Sequence, residues 1–266
     1  MVEIEKGDVM LEWDTSIVII VILLGFLAAF IDAVVGGGGL ISIPALLAVG
    51  MSPSMALGTN KLASAFGSMT SAFRFLRSGN VDLKLVGKLF PFIFLMAIGG
   101  ASIATFLPSQ LLKPVVIVVL TLVMIYTLIK KDWGSVRTFS KLSIGKAILF
   151  IALMCLIGFY DGFLGGGTGS FMLFVLLMFG FDFLGAAGNA KVLNFASNLG
   201  ALILFIFLHQ VDYFYGLIMA ASMICGSYVG AMFAIKKGVG YVKTLFIVVT
   251  AILILKNTYD YVMQLI

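Results

Sequence analysis

The sequence predicts an all-α integral membrane protein of two inverted-topology repeats, with about 8–10 membrane segments, some of them short broken or re-entrant helices. Three observations predict this: an extreme composition, a series of apolar runs of membrane-crossing length, and a match between the two halves. The chain has 266 residues, 62% hydrophobic and 11% charged, with a mean hydropathy of +1.18. Soluble domains carry about 45–50% apolar and about 25% charged residues. No soluble core absorbs that excess, so the bilayer is the solvent.

A spanning helix needs about 20 mostly apolar residues. Such runs fall near 16–35, 54–76, 85–107 and 111–129 in the first half, and near 144–164, 184–208, 214–234 and 242–263 in the second. Two further runs, 40–49 and 170–179, are too short to span alone. Ten helical residues cover only ~15 Å. Each short run follows a glycine tract, Gly36, Gly37, Gly38 and Gly39 in one half and Gly165, Gly166 and Gly167 in the other.

The order of runs is the same in both halves, and individual residues match. At an offset of 129, Phe30-Ile31-Asp32 meets Phe159-Tyr160-Asp161, and the glycine tracts align. One inserted residue moves the offset to 130, which pairs Gly58 with Gly188, Lys61 with Lys191, Asp82 with Asp212 and Gly100 with Gly230. Apolar identities arise by chance in such chains, but matched Asp, Lys and glycine tracts do not, so the halves are an internal repeat.

Lys and Arg set the orientation. Arg74, Arg77, Lys84 and Lys88 mark one cytoplasmic loop, Lys130, Lys131, Arg137, Lys141 and Lys146 mark the central linker, and Lys236, Lys237 and Lys243 mark a third. The two termini and the turn from His209 to Asp212 then lie outside. Each half crosses an odd number of times, so the repeats are inverted, as in many transporters. The expected organisation is an extracytoplasmic segment over 1–15, membrane repeats over 16–130 and 146–266, and a basic cytoplasmic linker over 131–145, all one multi-pass domain of the cytoplasmic membrane.

The net charge of +5 is spread over these loops, so lipid bilayer rather than nucleic acid is the expected surrounding. Cys155 and Cys225 sit inside apolar runs, with no disulfide, metal or cofactor pattern. The acidic N-terminus lacks the basic start of a secretory signal, so no cleaved signal is expected. A homodimer is compatible with such a chain.

Two arrangements fit the glycine regions. The first helix and the short helix form a re-entrant hairpin with its tip inside the membrane, or an extended tract and the short helix cross together, ~13 Å plus ~15 Å against a core of about 30 Å.

Two constellations carry chemistry. Glycine runs free backbone N–H and C=O groups, which inside a membrane must line a cavity or be buried in protein. A short helix starting there points its free N–H groups at the break, a setting that favours an anion. The competing reading is close helix packing. The second constellation is Gly58-Thr59-Asn60-Lys61 with its counterpart Gly188-Asn189-Ala190-Lys191. Ser52-Pro53 and Asp182 are helix-start signals, which put Lys61 about nine residues along its helix, ~13 Å from the end. A charge at that depth costs at least ~2.5–3.5 kcal/mol, so it faces a cavity or a partner. The partner would be Asp32 for Lys61 and Asp161 for Lys191, and ligand and ion-pair roles are compatible. Ser64, Ser68 and Ser71 follow Lys61 on one face, as Asn194 and Asn198 follow Lys191. Gly99, Gly100, Gly226 and Gly230 read as packing faces.

Two enzyme readings fit these residues poorly. An intramembrane aspartyl protease would share a proton between two Asp, but here both occupy matched repeat positions and the Gly-x-Gly-Asp context is missing. A serine–histidine dyad of Ser170 and His209 would need His209 inside the membrane, whereas it falls in a predicted outer turn.

The segment GFLAAFIDAVVGGGGLISIPALLAVGMSPSMALGTNKLAS, followed by GFYDGFLGGGTGSFM, resembles the TauE/SafE sulfite exporter family, also called TSUP, over nearly the whole chain. The resemblance implies membrane transport of sulfite, sulfonates or related sulfur-containing organic anions. The second half departs from the first: Asn189-Ala190 stands where the first has Thr59-Asn60, and no proline matches Pro44. The two halves of the site are therefore not chemically equivalent.

The expectation is a secondary transporter of a small anion, acting in export by alternating access, with an anion channel as the alternative. Backbone donors come from Gly36–Gly39 and Gly165–Gly167, charge from Lys61 and Lys191, and hydrogen bonds from Asn60, Asn189, Asn194 and Asn198. Asp32 and Asp161 orient the lysines or carry a coupling proton. No nucleotide motif is present, so an ion or substrate gradient supplies the energy.

Overall fold

In a computed structural model of the chain, the described residues are 15–104, 121, 125, 134–140 and 142–265. Every element among them is an α-helix: α1 Thr15–Val35, α2 Gly39–Ala48, α3 Pro53–Arg77, α4 Leu83–Ala104, α5 Ile144–Phe163, α6 Thr168–Met178, α7 Phe183–Phe207 and α8 Tyr213–Leu265. Each expected run within these residues is a helix, and the run at 111–129 lies outside them. Helix α8 contains two runs, and its arms meet at Gly238, whose φ of 76° and ψ of −166° leave the helical region.

Five of these helices, α1, α4, α5, α7 and α8, are long and apolar enough to cross a membrane. Large apolar side chains cover the outside: Leu23, Leu95, Leu156 and Leu255 are among the most exposed. Water would not tolerate that surface, but lipid does. The chain is a multi-pass membrane protein.

Helices α3 and α7 pack together at the centre, α1 and α8 against α3, and α4 and α5 against α7. Small residues let the outer pairs close. Gly25 meets Met219 and Ser222, Gly226 meets the Phe26 carbonyl, and Gly230 meets the Phe30 carbonyl, so α1 and the first arm of α8 run in the same direction. Gly158 lies on Ile93 and Gly162 on Ala97, so α4 and α5 do likewise. A Cβ at Gly100 would overlap the Phe159 carbonyl, and Gly99 also faces Phe159. Gly99, Gly100, Gly226 and Gly230 therefore serve packing, as expected.

The two short helices turn back beside the helices that precede them. Val49 and Met51, just past α2, share an apolar cluster with Ile17 and Leu24 of α1. Phe179, just past α6, packs with its ring tilted against Phe150 in the first half of α5, 4.8 Å between centroids. Each pair is thus a hairpin with its glycine tract at the tip, the re-entrant alternative of the two. The starts of α3 and α7 carry the expected caps: Ser52 Oγ accepts from Met55 N at 3.4 Å, and Asp182 accepts from Gly185 N at 3.3 Å.

Matched contacts tie the halves together. Thr59 Oγ1 on α3 accepts a hydrogen bond from Asp212 N at 2.9 Å, and Asn189 Oδ1 on α7 accepts one from Asp82 N at 2.9 Å. Asp82 and Asp212 in turn cap α4 and α8, accepting from Leu85 N at 3.2 Å and Tyr215 N at 3.0 Å. Each half therefore holds a helix start of the other by the same device. Part of the linker touches both halves: Arg137 pairs with Asp82 of the first at 2.9 Å, and Thr138 N donates to Gly180 O of the second at 2.7 Å.

Candidate functional site

The hairpin tips meet at the centre of the molecule. Gly36 (φ +84°) and Gly37 (φ +90°) turn the chain out of α1, and Gly165 (φ +77°) and Gly167 (φ +87°) turn it out of α5. These are left-handed backbone angles that residues with a Cβ resist. Gly36 lies directly on Gly169, where a Cβ would overlap the backbone of Gly169 and Ser170. Gly39 lies beside the Gly165 carbonyl. Carbonyls freed at the breaks are satisfied locally and across the crossing. Ser170 Oγ donates to Val35 O at 3.0 Å, Thr168 Oγ1 donates to Gly165 O at 3.2 Å, and the Tyr160 hydroxyl donates to Gly166 O. The tract glycines thus let the two tips approach closely at the crossing.

Both buried lysines reach this crossing. Lys61 Nζ lies 3.0 Å from Asp161 Oδ1 and donates to Asn198 Oδ1 at 3.1 Å. Lys191 Nζ lies 2.8 Å from Asp32 Oδ2. Ion pairs within each half were the expectation, Lys61 with Asp32 and Lys191 with Asp161, and the structure corrects it. Each lysine pairs with the aspartate of the opposite half, because the tips cross and bring each aspartate beside the other half's long helix. Lys61, Lys191 and Asp161 are each 1% exposed, and Asp32 is 23% exposed.

The two carboxylates differ. Asp32 Oδ2 takes Lys191 and its Oδ1 accepts from Gly38 N at 3.2 Å, so both oxygens are used. Asp161 Oδ1 takes Lys61, while its Oδ2 accepts from no described residue.

A cavity of about 20 Å³ lies at the crossing, room for roughly one water. Of the expected residues, Asp32, Gly38, Gly39, Asn60 and Lys61 line it from the first half, and Asp161, Gly165, Asn194 and Asn198 from the second. Gly36, Gly37, Gly166, Gly167, Asn189 and Lys191 are not in its lining. Gly36 forms the crossing with Gly169, Gly37 packs toward Leu253, and Gly166 and Gly167 pack toward Leu40. Asn189 holds Asp82 and donates to Gly185 O at 2.7 Å. Lys191 stands behind Asp32.

Along α3, Lys61, Ser64 and Ser68 line the cavity, at helical spacings that place them on one face. Along α7, Asn194 and Asn198 line it at the matched positions. Asn198 joins the two stripes, its Oδ1 on Lys61 and its Nδ2 donating to Ser68 Oγ at 3.5 Å. Ser42 donates to Asn60 Oδ1 at 2.6 Å, fixing that side chain. Sequence reasoning missed Ser42, Met223 and Ser227, of which the last two line the cavity from α8. Isolated polar residues inside apolar runs were the available signal for both serines.

The site offers a primary ammonium, amides and hydroxyls around a small cavity, with two carboxylates balancing the charge. Lys61 has three N–H donors, and Asp161 and Asn198 engage two. Taking in an oxyanion means widening the cavity and redirecting donors from Asp161 to the ligand.

The sequence profile of the family described as Sulfite exporter TauE/SafE matches residues 21–257. The chain belongs to that family. Among curated relatives, a probable membrane transporter protein ORF9 of Sinorhizobium sp. is 38% identical over 239 residues, covering 88% of this chain and 90% of that one. A probable membrane transporter protein of Haemophilus influenzae is 37% identical over 238 residues, 89% of this chain and 92% of that one. The probable membrane transporter protein YfcA of Escherichia coli is 34% identical over 236 residues, 88% and 87% of the two chains. No solved structure matches significantly. As a TauE/SafE protein the chain is a membrane transporter rather than an enzyme. The family match covers both hairpins, both buried lysines and both aspartates.

Proposed function

We propose that this TauE/SafE transporter exports a small sulfur oxyanion, sulfite or an organosulfonate, by alternating access between two inverted repeats. The observation that carries this reading is Lys61. Its ammonium is 1% exposed, sits at the meeting point of two membrane hairpins, and shares a polar cavity with Asn60, Asn194 and Asn198. An anion leaving water needs its hydration replaced by donors, and this cluster supplies them. Lys191 acts through Asp32 at the rim. The family's name refers to sulfite, which fits a site built for a compact oxyanion.

Alternating access is supported by the paired construction. Each half contributes one hairpin, one long polar helix and one buried lysine, and each ion pair joins one half to the other. Helix α1 and the first arm of α8 run in one direction, as do α4 and α5, which agrees with one repeat entering from the outer face and the other from the cytoplasm. Movement of one half against the other would exchange contacts at the shared crossing. The termini then lie outside, in the cytoplasmic membrane.

A thermal-shift screen of purified protein against sulfite, sulfate, thiosulfate, sulfoacetate, taurine and organic acids tests the substrate class. A ligand of the native state raises apparent stability by RT ln(1 + [L]/Kd). Sulfite or a sulfonate should raise the melting temperature in a saturable way. Stabilisation by carboxylic acids alone would move the substrate to another class.

A further inference from the structure

The two Lys–Asp pairs at the crossing are related by the repeat, yet only one carboxylate is fully engaged. Both oxygens of Asp32 hold donors, Lys191 Nζ at 2.8 Å and Gly38 N at 3.2 Å. Asp161 is 1% exposed and lines the cavity, and its Oδ2 accepts from no described residue. A buried carboxylate oxygen without a donor is costly. The cost is relieved if that oxygen gains a hydrogen of its own.

Charge makes the same demand. Lys61 and Lys191 balance Asp32 and Asp161 when all four are ionised. A monoanion added to that set leaves one uncompensated negative charge inside the membrane. Resting on the anion-transport reading above, we propose that Asp161, and not Asp32, takes up one proton with each monoanion bound, making substrate binding electroneutral.

A proton from the water on the open side forms an O–H bond at Asp161 Oδ2, and the carboxyl becomes neutral. Lys61 keeps its charge and loses its counter-ion, so its ammonium turns to the anion. A protonated carboxyl is also a donor, so Asp161 O–H and Lys61 N–H can both be accepted by oxygens of the same ligand. Release of the anion on the far side frees the proton, and the Lys61–Asp161 pair at 3.0 Å reforms. At Asp32 a proton on Oδ1 would face the Gly38 N–H, and one on Oδ2 would face Lys191, so neither position is open.

The groups around Asp161 fit this role. Helix α3 presents Lys61, and α7 presents Asn198, with Lys191 turned to Asp32 of α1. Helix α6 carries no ionisable side chain, and the stretch of α4 against Gly162, at Ala97 and Ala101, has none either. On α5 itself, the Tyr160 hydroxyl donates to Gly166 O. Lys61 is therefore the ionisable partner that faces Asp161.

Methanesulfonate tests the proposal, because it stays a monoanion over the working pH range, and any proton consumed goes to the protein. Ethanesulfonate, also a monoanion throughout, serves as a second probe. Binding is followed by calorimetry, and proton uptake by the pH of a weakly buffered detergent solution on mixing. The wild type should take up about one proton per methanesulfonate bound. Asp161→Asn should bind with no uptake and with an affinity that does not change with pH. Asp32→Asn should bind with altered affinity but keep the uptake of one proton. Binding by the wild type without uptake, or uptake retained in Asp161→Asn, overturns the proposal and leaves the anion site standing. If Asp161→Asn does not fold, wild type and Asp32→Asn decide: uptake in both supports Asp161, and loss in Asp32→Asn overturns it. If neither probe binds the wild type, the anion-site reading fails and this proposal falls with it.

Discussion

Lys61 and Asp161 belong to different halves of the chain, yet their charged atoms lie 3.0 Å apart at the centre of the molecule. The reciprocal contact, Lys191 with Asp32, closes at 2.8 Å. The ion pairs therefore work as clasps between the halves. A motion of one half relative to the other must strain or exchange them.

The cross-pairing predicts a pattern of coupling. Removing one member of a buried pair costs about 3–5 kcal/mol, because the other is left uncompensated. Lys61→Met should lower the melting temperature sharply, and adding Asp161→Asn should recover much of the loss. Adding Asp32→Asn to Lys61→Met should not. Recovery by Asp32→Asn instead would place the pairs within each half.

Gly36→Ala is predicted to be far more damaging than an ordinary helix substitution. A left-handed angle costs a residue with a Cβ about 1–2 kcal/mol, and here the methyl would also overlap Gly169 and Ser170. Gly87→Ala, where nothing lies within 4 Å of the added carbon, should be neutral or stabilising by about 0.5–1 kcal/mol. The pair is compared by melting temperature and by fluorescence-detected size exclusion. Equal stability of the two variants would show that the tips do not depend on this contact.

Thr59→Val and Asn189→Leu each remove the side chain that accepts from an aspartate N–H at the start of a helix of the other half. An unsatisfied buried donor costs about 1–3 kcal/mol. Both variants should melt earlier by similar amounts while binding anions with near wild-type affinity, since neither residue lines the cavity. Loss of affinity in Asn189→Leu alone would place that side chain in the substrate path.

These outcomes bear on how much was legible beforehand. The helices follow the apolar runs closely: the run expected at 184–208 is the helix Phe183–Phe207, and that at 40–49 is Gly39–Ala48. The match between the halves was legible because charged residues and glycines rarely coincide by chance. The partner of each lysine was not readable, since a two-fold repeat offers both pairings equally and only the crossing of the tips decides. Asn189 precedes Lys191 by two residues, a spacing that turns it away from the face shared by Asn194 and Asn198. That distinction was within reach of helical geometry. Which glycines line the cavity and which form the crossing depends on backbone angles that a run of identical residues does not encode.

The inverted reading proposed above predicts opposite accessibility for two loops. With Cys155 and Cys225 replaced by alanine, a single cysteine at Ser135 should react with a membrane-impermeant reagent only from the cytoplasmic side. A cysteine at Gln210 should react only from the outside. Labelling of both from one side would contradict the inverted reading.

The most direct test of the central claim, that a sulfur oxyanion is carried through the Lys61 cluster, is counterflow of radiolabelled sulfite in proteoliposomes. Wild-type vesicles loaded with unlabelled sulfite should accumulate label transiently and saturably, Lys61→Met should abolish that accumulation, and the Asn189→Leu vesicles should retain it. Full counterflow by a folded Lys61→Met protein, or a non-saturating sulfite current in the wild type without counterflow, would contradict the account.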